Sequence, residues 1–345
     1  MQKAAFMTDL RKMEIREIPI PVVKDEEVLV RLEYVGICGS DVHYLEYGKI
    51  GDFVVDGDFI LGHECAGVVE QVGSKVTDMK VGDRVALEPG CTCGKCEFCK
   101  TGRYNLCADV RFLATPPYAG CLENYIAFPA DMCFKLPDNM STEEGALVEP
   151  LSVGIHAAHQ GNVTLGSSVV ILGAGCIGLV TLLACKALGA ADITVVDVLP
   201  KRLEYAKELG ATCTINAASC DTVEEMKKIT GQAGTEVVIE TAGSPKTIAQ
   251  TSLLVKRGGT IVLVGMSAQD IISYDFSKIM AKEATIKSVF RYRNIYPQAI
   301  QAISQGIIPV KKIVTHEFDF SQTAEAFNFV IDHKEDVVKA VIKIS

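Results

Sequence analysis

Val169 to Leu172 run without interruption into Gly173-Ala174-Gly175-Cys176-Ile177-Gly178 and then into an uncharged stretch that ends at Lys186. A strand that meets a G-x-G-x-x-G turn and leaves it as a helix has few folds open to it. The glycines permit a tight turn and close approach to a pyrophosphate, and the helix N-terminus meets that charge. Asp197 closes the next strand-like run, 24 residues after Gly173. A carboxylate there hydrogen-bonds the two ribose hydroxyls of an adenosine and repels a 2′-phosphate, so NAD is expected over NADP. Arg202 stands where a guanidinium would either cover the adenine or tolerate a phosphate.

The pattern around this turn sets the fold class. Strand-like runs at Val169–Leu172, Ile193–Asp197, Val237–Glu240 and Thr260–Val264 alternate with helical stretches, which predicts a parallel sheet covered on both faces. Before it, short runs at Glu27–Leu32, Gly67–Val72 and Asp83–Leu87 are separated by Gly and Pro, the signature of irregular β structure. With 345 residues about two domains are expected. The reading is an α/β chain: a β-rich catalytic domain over 1–148 and 288–345, and a doubly wound dinucleotide domain over 149–287. A helix is expected at Pro297–Gln305, and the active site is expected in the cleft between the domains.

Charge and apolar patterning exclude several partners. Net charge is −9 with no basic block, which argues against nucleic acid. The apolar run Val169–Cys185 approaches the length of a membrane span, but three glycines break its first ten residues, so it reads as buried αβ structure and no membrane partner is expected. The first nine residues lack the apolar core and cleavage site of a secretory signal. Thirteen cysteines in a chain too large to need disulfides fit a reducing, cytoplasmic setting.

Five of those cysteines fall in zinc-compatible arrangements. Cys93, Cys96, Cys99 and Cys107 have the spacing C-x2-C-x2-C-x7-C, able to fill all four positions of a tetrahedral ion and so to hold a lobe at about 88–110 together. Cys91 is either a bystander or an exchanging ligand. Cys38, with the adjacent pair His63-Glu64 25 residues later, offers a thiolate, an imidazole and a carboxylate, a mixture that suits an open zinc site. Two zinc ions per subunit follow, one structural and one catalytic. Ser40 and His43 stand two and five residues beyond Cys38, as a site that deprotonates an alcohol would need.

Taken together, these residues resemble the zinc-containing medium-chain dehydrogenase/reductase family over essentially the whole chain. Gly62-His63-Glu64-Cys65-Ala66-Gly67, continuing to Gly73 and Val76, is similar to that family's zinc signature, and the resemblance implies that the β-rich domain is GroES-like and the other a Rossmann domain. Within the family the chain most resembles the polyol branch, the sorbitol and xylitol dehydrogenases, through Ala114-Thr115-Pro116-Pro117, Val148-Glu149-Pro150-Leu151-Ser152-Val153 and Phe290-Arg291-Tyr292-Arg293-Asn294.

The alcohol dehydrogenases of the family hold catalytic zinc with two cysteines and a histidine. Here Glu149 stands where the resemblance would put the second cysteine, so the implied ligands are Cys38, His63 and either Glu64 or Glu149, with Asp41 accepting from the far nitrogen of His63. The resemblance further implies that Tyr44, Glu149, Arg291 and Tyr292 contact the polyol or its waters. Ile177, Asp197, Arg202, Val264, Gly265, Met266, Val289 and Phe290 match positions that line NAD. His156 and His159 are read as structural.

The expected reaction is oxidation of a polyol to its ketose, with hydride passing to NAD. The proton leaves either through Ser40 to His43 or through water, with Glu149 or Glu64 as base. Rival substrates are 2,3-butanediol and L-threonine, and a rival of another class is a non-catalytic NAD-binding structural protein, which would have shed ligands that are all present. The family also implies a homo-oligomer, with a tetramer favoured.

Overall fold

In the computed structural model, which describes residues 1–345, the alternation that begins at Val169 forms a six-stranded parallel sheet. Its strands lie in the order Cys213–Asn216, Asp192–Asp197, Ser168–Leu172, Thr235–Glu240, Val255–Leu263 and Thr285–Ser288. Numbered along the chain this is 3-2-1-4-5-6, the doubly wound order in which the first strand lies at the switch point. Leu172 is in register with Val196 on one side and Glu240 on the other. That register brings the ends of three strands level beside the glycine turn. Val170, Leu172, Val196, Val238 and Ile261 form part of a buried core between sheet and helices.

The long apolar run is divided between the strand Ser168–Leu172 and the helix Cys176–Ala187. No helix is long and apolar enough to cross a membrane. This unit comprises Pro150–Ile295 and Ile307–Ile313. The strand Thr285–Ser288 is still paired to Val255–Leu263, which keeps the chain here past residue 288.

The other unit comprises Met1–Glu149, Tyr296–Gly306 and Val314–Ser345. Its largest sheet has seven strands. Glu27–Gly36 pairs along one edge with Glu64–Val72, and its other edge is shared by Tyr125–Pro129 and Lys339–Lys343. Arg84–Leu87, Cys133–Lys135 and Val314–Asp319 complete it. Alternating apolar residues such as Val28, Val30, Leu32 and Val35 are buried in its core with Leu87, Phe128, Phe327 and Ile342. The helix expected at Pro297–Gln305 spans Tyr296–Ser304, and Tyr296 Oη donates to the Leu87 carbonyl at 2.8 Å. Gly36 faces Glu64 across one strand edge and Val341 across the other. Three strands far apart in sequence thus converge on one glycine.

Candidate metal and nucleotide sites

Cys38 is the N-cap of the helix Gly39–Tyr47, its backbone extended at φ −90° and ψ 152°. Asp41, in the first turn of that helix, accepts from the backbone N–H of Cys38 at 3.2 Å and of Gly62 at 3.0 Å. Its Oδ1 also lies 3.4 Å from His63 Nδ1. One fully buried carboxylate therefore ties the Cys38 turn to the His63 strand and orients the imidazole, the arrangement that leaves the other ring nitrogen for a metal.

The ligand atoms of Cys38, His63 and Glu64 all lie within 4.8 Å of one another. Phe112 packs on the His63 ring with centroids 5.6 Å apart. Burial by itself would lower the imidazole, but the negative charges of Asp41 and Cys38 outweigh it and hold His63 well above its ordinary range. The pocket thus favours positive charge, and its sulfur, nitrogen and oxygen donors fit zinc. The Glu64 carboxylate accepts from Lys339 Nζ at 2.8 and 2.7 Å.

Of the two carboxylates left open by the sequence, Glu64 is the one grouped with Cys38 and His63. Glu149 is buried in the first turn of the helix Val148–Gln160. Tyr44 is buried on the helix that Cys38 begins, and His43 on the same helix packs against Tyr47 with ring centroids 4.7 Å apart and planes tilted by 48°. Ser40 is half-buried in its first turn. In the parallel-sheet unit, Arg291 takes a positive φ of 56° and lies over the Phe290 ring at 4.8 Å, while Tyr292 is buried.

The four remaining cysteines wrap the short helix Glu97–Lys100, with all four sulfurs within 4.8 Å of one another. Cys93 and Cys99 sulfurs are 3.9 Å apart, and those of Cys96 and Cys99 are 3.5 Å apart. Tetrahedral ligands at about 2.3 Å from one ion stand about 3.8 Å from each other, close to these two separations, so the sulfurs are grouped as a zinc ion would need. The backbone N–H groups of Lys95 and Cys96 pull the Cys93 thiol down to about 6. Cys91 is outside the group, and burial pushes its thiol up to about 11. It has the character of a neutral neighbour.

At the nucleotide turn Gly173 adopts φ 106°, and a Cβ on Gly178 would sit 1.9 Å from the Gly173 carbonyl. Gly175 caps the helix Cys176–Ala187, whose first turn carries Ile177, and only Arg202 Nη1, at 3.8 Å, would come near a Cβ there. Asp197 accepts from the N–H groups of Ala174, Val198 and Leu199 at 2.7 to 2.9 Å. Its carboxylate is fixed at the mouth of the turn. Val264 and Gly265 donate to the Glu240 carbonyl at 2.8 and 3.0 Å, and Val289 donates to the Leu263 carbonyl at 2.9 Å. Met266 and Phe290 are exposed.

Three residues that shape these sites were not among the sequence expectations. Glu240, fully buried, accepts through its carboxylate from Ala242, Gly243 and Thr247, bracing its own loop, and through its backbone carbonyl from Val264 and Gly265. Lys339 and Gly36 flank the Glu64 carboxylate. A lysine inside the apolar run Val337-Val338-Lys339-Ala340-Val341-Ile342 was the available signal, since a buried lysine requires a partner.

The comparisons with known proteins bear on both units. Residues 24–138 match the alcohol dehydrogenase GroES-like domain, and residues 176–305 match the zinc-binding dehydrogenase family. The sorbitol dehydrogenase of Bacillus subtilis is 46% identical over 340 residues, covering 99% of this chain and 96% of the relative. This chain belongs to the zinc-type medium-chain alcohol dehydrogenases. Human sorbitol dehydrogenase is a further relative of this family, 46% identical over 317 residues, 91% of this chain and 88% of that one. A crystal structure of an Escherichia coli oxidoreductase/dehydrogenase of unknown specificity superposes with a TM-score of 0.96 at 49% identity, over the full length of both chains. The expected architecture of a GroES-like and a Rossmann domain is that of this dehydrogenase family.

Proposed function

We propose that this chain is a zinc-dependent dehydrogenase that oxidises a polyol such as sorbitol or xylitol to the ketose with NAD. The observation that carries the reading is the grouping of Cys38, His63 and Glu64 within 4.8 Å, in a chain 46% identical to sorbitol dehydrogenases. Zinc held by these three residues would supply a Lewis acid for the substrate hydroxyl, and NAD would supply the hydride acceptor. Glu64 gives the site an oxygen ligand, and Glu149, which stands where the alcohol dehydrogenases have a second cysteine, leaves it without a second sulfur.

The chain's own groups handle the proton. Ser40 accepts it and His43, four residues short of the exposed Tyr47 on the same helix, carries it on toward water. Tyr44 and Glu149 orient the polyol. The carboxylate of Asp197 selects NAD by its repulsion of a 2′-phosphate, and the second zinc belongs to Cys93, Cys96, Cys99 and Cys107, where it braces the lobe.

The protein works as a homo-oligomer, a tetramer, in the cytoplasm. What supports assembly is a set of exposed apolar side chains on and just before the helix Phe276–Lys282: Ile271 is 90%, Met280 81% and Phe276 62% exposed, and apolar residues grouped at a surface mark interaction sites. What supports the compartment is that none of the thirteen cysteines forms a disulfide.

The deciding experiment is a panel of sorbitol, xylitol, 2,3-butanediol and L-threonine, each with NAD and with NADP, followed by cofactor reduction. Turnover is expected with the two polyols and NAD. Turnover confined to butanediol and threonine would overturn the polyol assignment, and full activity in Cys38→Ser would overturn the metal site.

A further inference from the structure

Glu64 and Lys339 form an ion pair in which the side chains are only 1% and 2% exposed. Lys339 Nζ donates to Oε1 at 2.8 Å, to Oε2 at 2.7 Å and to the Ile37 carbonyl at 3.0 Å. An ammonium has three protons to give, and all three are placed. Two hold both oxygens of a carboxylate grouped with Cys38 and His63, and the third reaches the residue next to Cys38. Gly36 makes the approach possible, since a Cβ there would lie 2.0 Å from Glu64 Oε2.

The groups that ordinarily surround metal ligands accept hydrogen bonds, raise the basicity of the ligand and tighten its hold on the ion. Asp41 does this for His63. An ammonium on a carboxylate ligand has the opposite effect: it takes up part of the negative charge and occupies both oxygens that a metal would use. We infer that Lys339 is a positioning residue acting through Glu64, lowering the affinity of the Cys38–His63–Glu64 site for its metal and making Glu64 its displaceable ligand. This rests on the metal reading proposed above. Two of the three donors then hold the ion firmly, while the third is shared with the protein's own cation and can yield its position to an incoming oxygen.

The test uses the full-length protein with cobalt(II) in the Cys38 site, read by its thiolate charge-transfer and d–d absorption, and competition against a chelator to measure affinity. Lys339→Met is expected to hold the metal at least about tenfold tighter, because the Glu64 oxygens are no longer shared with an ammonium. In a Glu64→Gln background the same substitution should change affinity by less than about twofold, as required if Lys339 acts through that carboxylate. Lys339→Arg, which keeps the charge, should stay close to the parent. Where Lys339→Met does not fold, Lys339→Gln, whose amide still donates to Glu64, takes its place in every comparison.

Unchanged or weaker metal binding in the charge-removing variant overturns the inference, as does an equal effect with and without Glu64. Failure of the metal reading looks different. In that case Cys38→Ser would leave the parent's cobalt spectrum and metal content unaltered, whatever stands at position 339.

Discussion

A Cβ on Gly36 would stand 2.0 Å from Oε2 of Glu64 and 3.1 Å from its Cβ, so the shape of the metal pocket depends on a side chain that is missing. Gly36→Ala therefore acts directly on the Glu64 carboxylate. Overpacking of this kind costs about 1–3 kcal/mol, and the carboxylate must leave both its cation and its place beside His63. We expect a lowered thermal midpoint together with turnover reduced at least about tenfold, since a misplacement of about 1 Å is enough for losses of that order. Shortening the side chain with Glu64→Asp in the same protein should recover stability but not turnover. Parallel thermal unfolding and steady-state rates check both.

Two buried carboxyl groups away from the metal pocket give stability a particular pH dependence. Burial raises Glu88 to about 7 against the opposing hydrogen bond from Tyr104, and raises Glu123 to about 8 against that from Gln2. Both groups bind their proton more tightly folded than unfolded, so their contribution is complete below the unfolded value near 4.5 and disappears as pH rises through 7 and 8. Each unit is worth about 1.4 kcal/mol, which makes Glu88 alone worth on the order of 3 kcal/mol across that window. Glu88→Gln, which keeps the Tyr104 hydrogen bond, should flatten the fall in thermal midpoint between about pH 5 and 8. An unchanged slope would show that Glu88 is ionised in the native protein.

Asp197 has two tasks in the Rossmann unit, and one substitution separates them. It receives three backbone N–H groups at the glycine turn and would face the adenosine ribose. Asp197→Asn can keep the oxygen that accepts from Val198 and Leu199 but puts an NH2 where Oδ2 accepts from Ala174, and it removes the negative charge that repels a 2′-phosphate. The ratio of kcat/KM for NAD over NADP should fall by at least about tenfold, or about 1.4 kcal/mol, while the thermal midpoint falls only by what the lost Ala174 hydrogen bond is worth, about 1 kcal/mol. Measuring both cofactors with one polyol decides it.

The four-cysteine lobe should separate stability from chemistry. Replacing Cys96 with Ser leaves three sulfurs of a set that lies within 4.8 Å, too few to close the coordination shell of a structural zinc. Metal content should drop by about one ion per chain. Unfolding should become sensitive to heat, while the KM for polyol in the surviving folded protein stays near that of the parent. Loss of turnover with full metal content would contradict this assignment.

Much of this architecture was legible because local sequence and tertiary context agree. The glycine turn needs a strand before it and a helix after it, and Asp197 needs only to end the next strand, so short-range pattern carried both. The four cysteines are likewise close together in sequence. What could not be read was the company Glu64 keeps. The sequence left Glu64 and Glu149 as equal candidates, because their distances from Cys38 and His63 depend on sheet register rather than on spacing. Lys339 was hidden for the same reason: it meets Glu64 from 275 residues away, across a strand where Gly36 happens to lack a side chain. An apolar strand with one lysine shows that a partner exists without showing which one.

The wide separation of Glu64 and Lys339 also bears on how the chain is made. The strand of Glu64, the Cys38 turn and Asp41 are all synthesised before the parallel-sheet unit begins at Pro150. Lys339 follows Glu64 by 275 residues. At roughly 5–20 residues per second, translation needs on the order of tens of seconds to cover that distance. Throughout that interval the nascent first unit lacks both the strand that completes this edge of its sheet and the cation that neutralises Glu64. Most of the second unit, through Ile295, is therefore synthesised before Lys339, and until that residue emerges Glu64 lacks the cation that pairs with it in the folded protein.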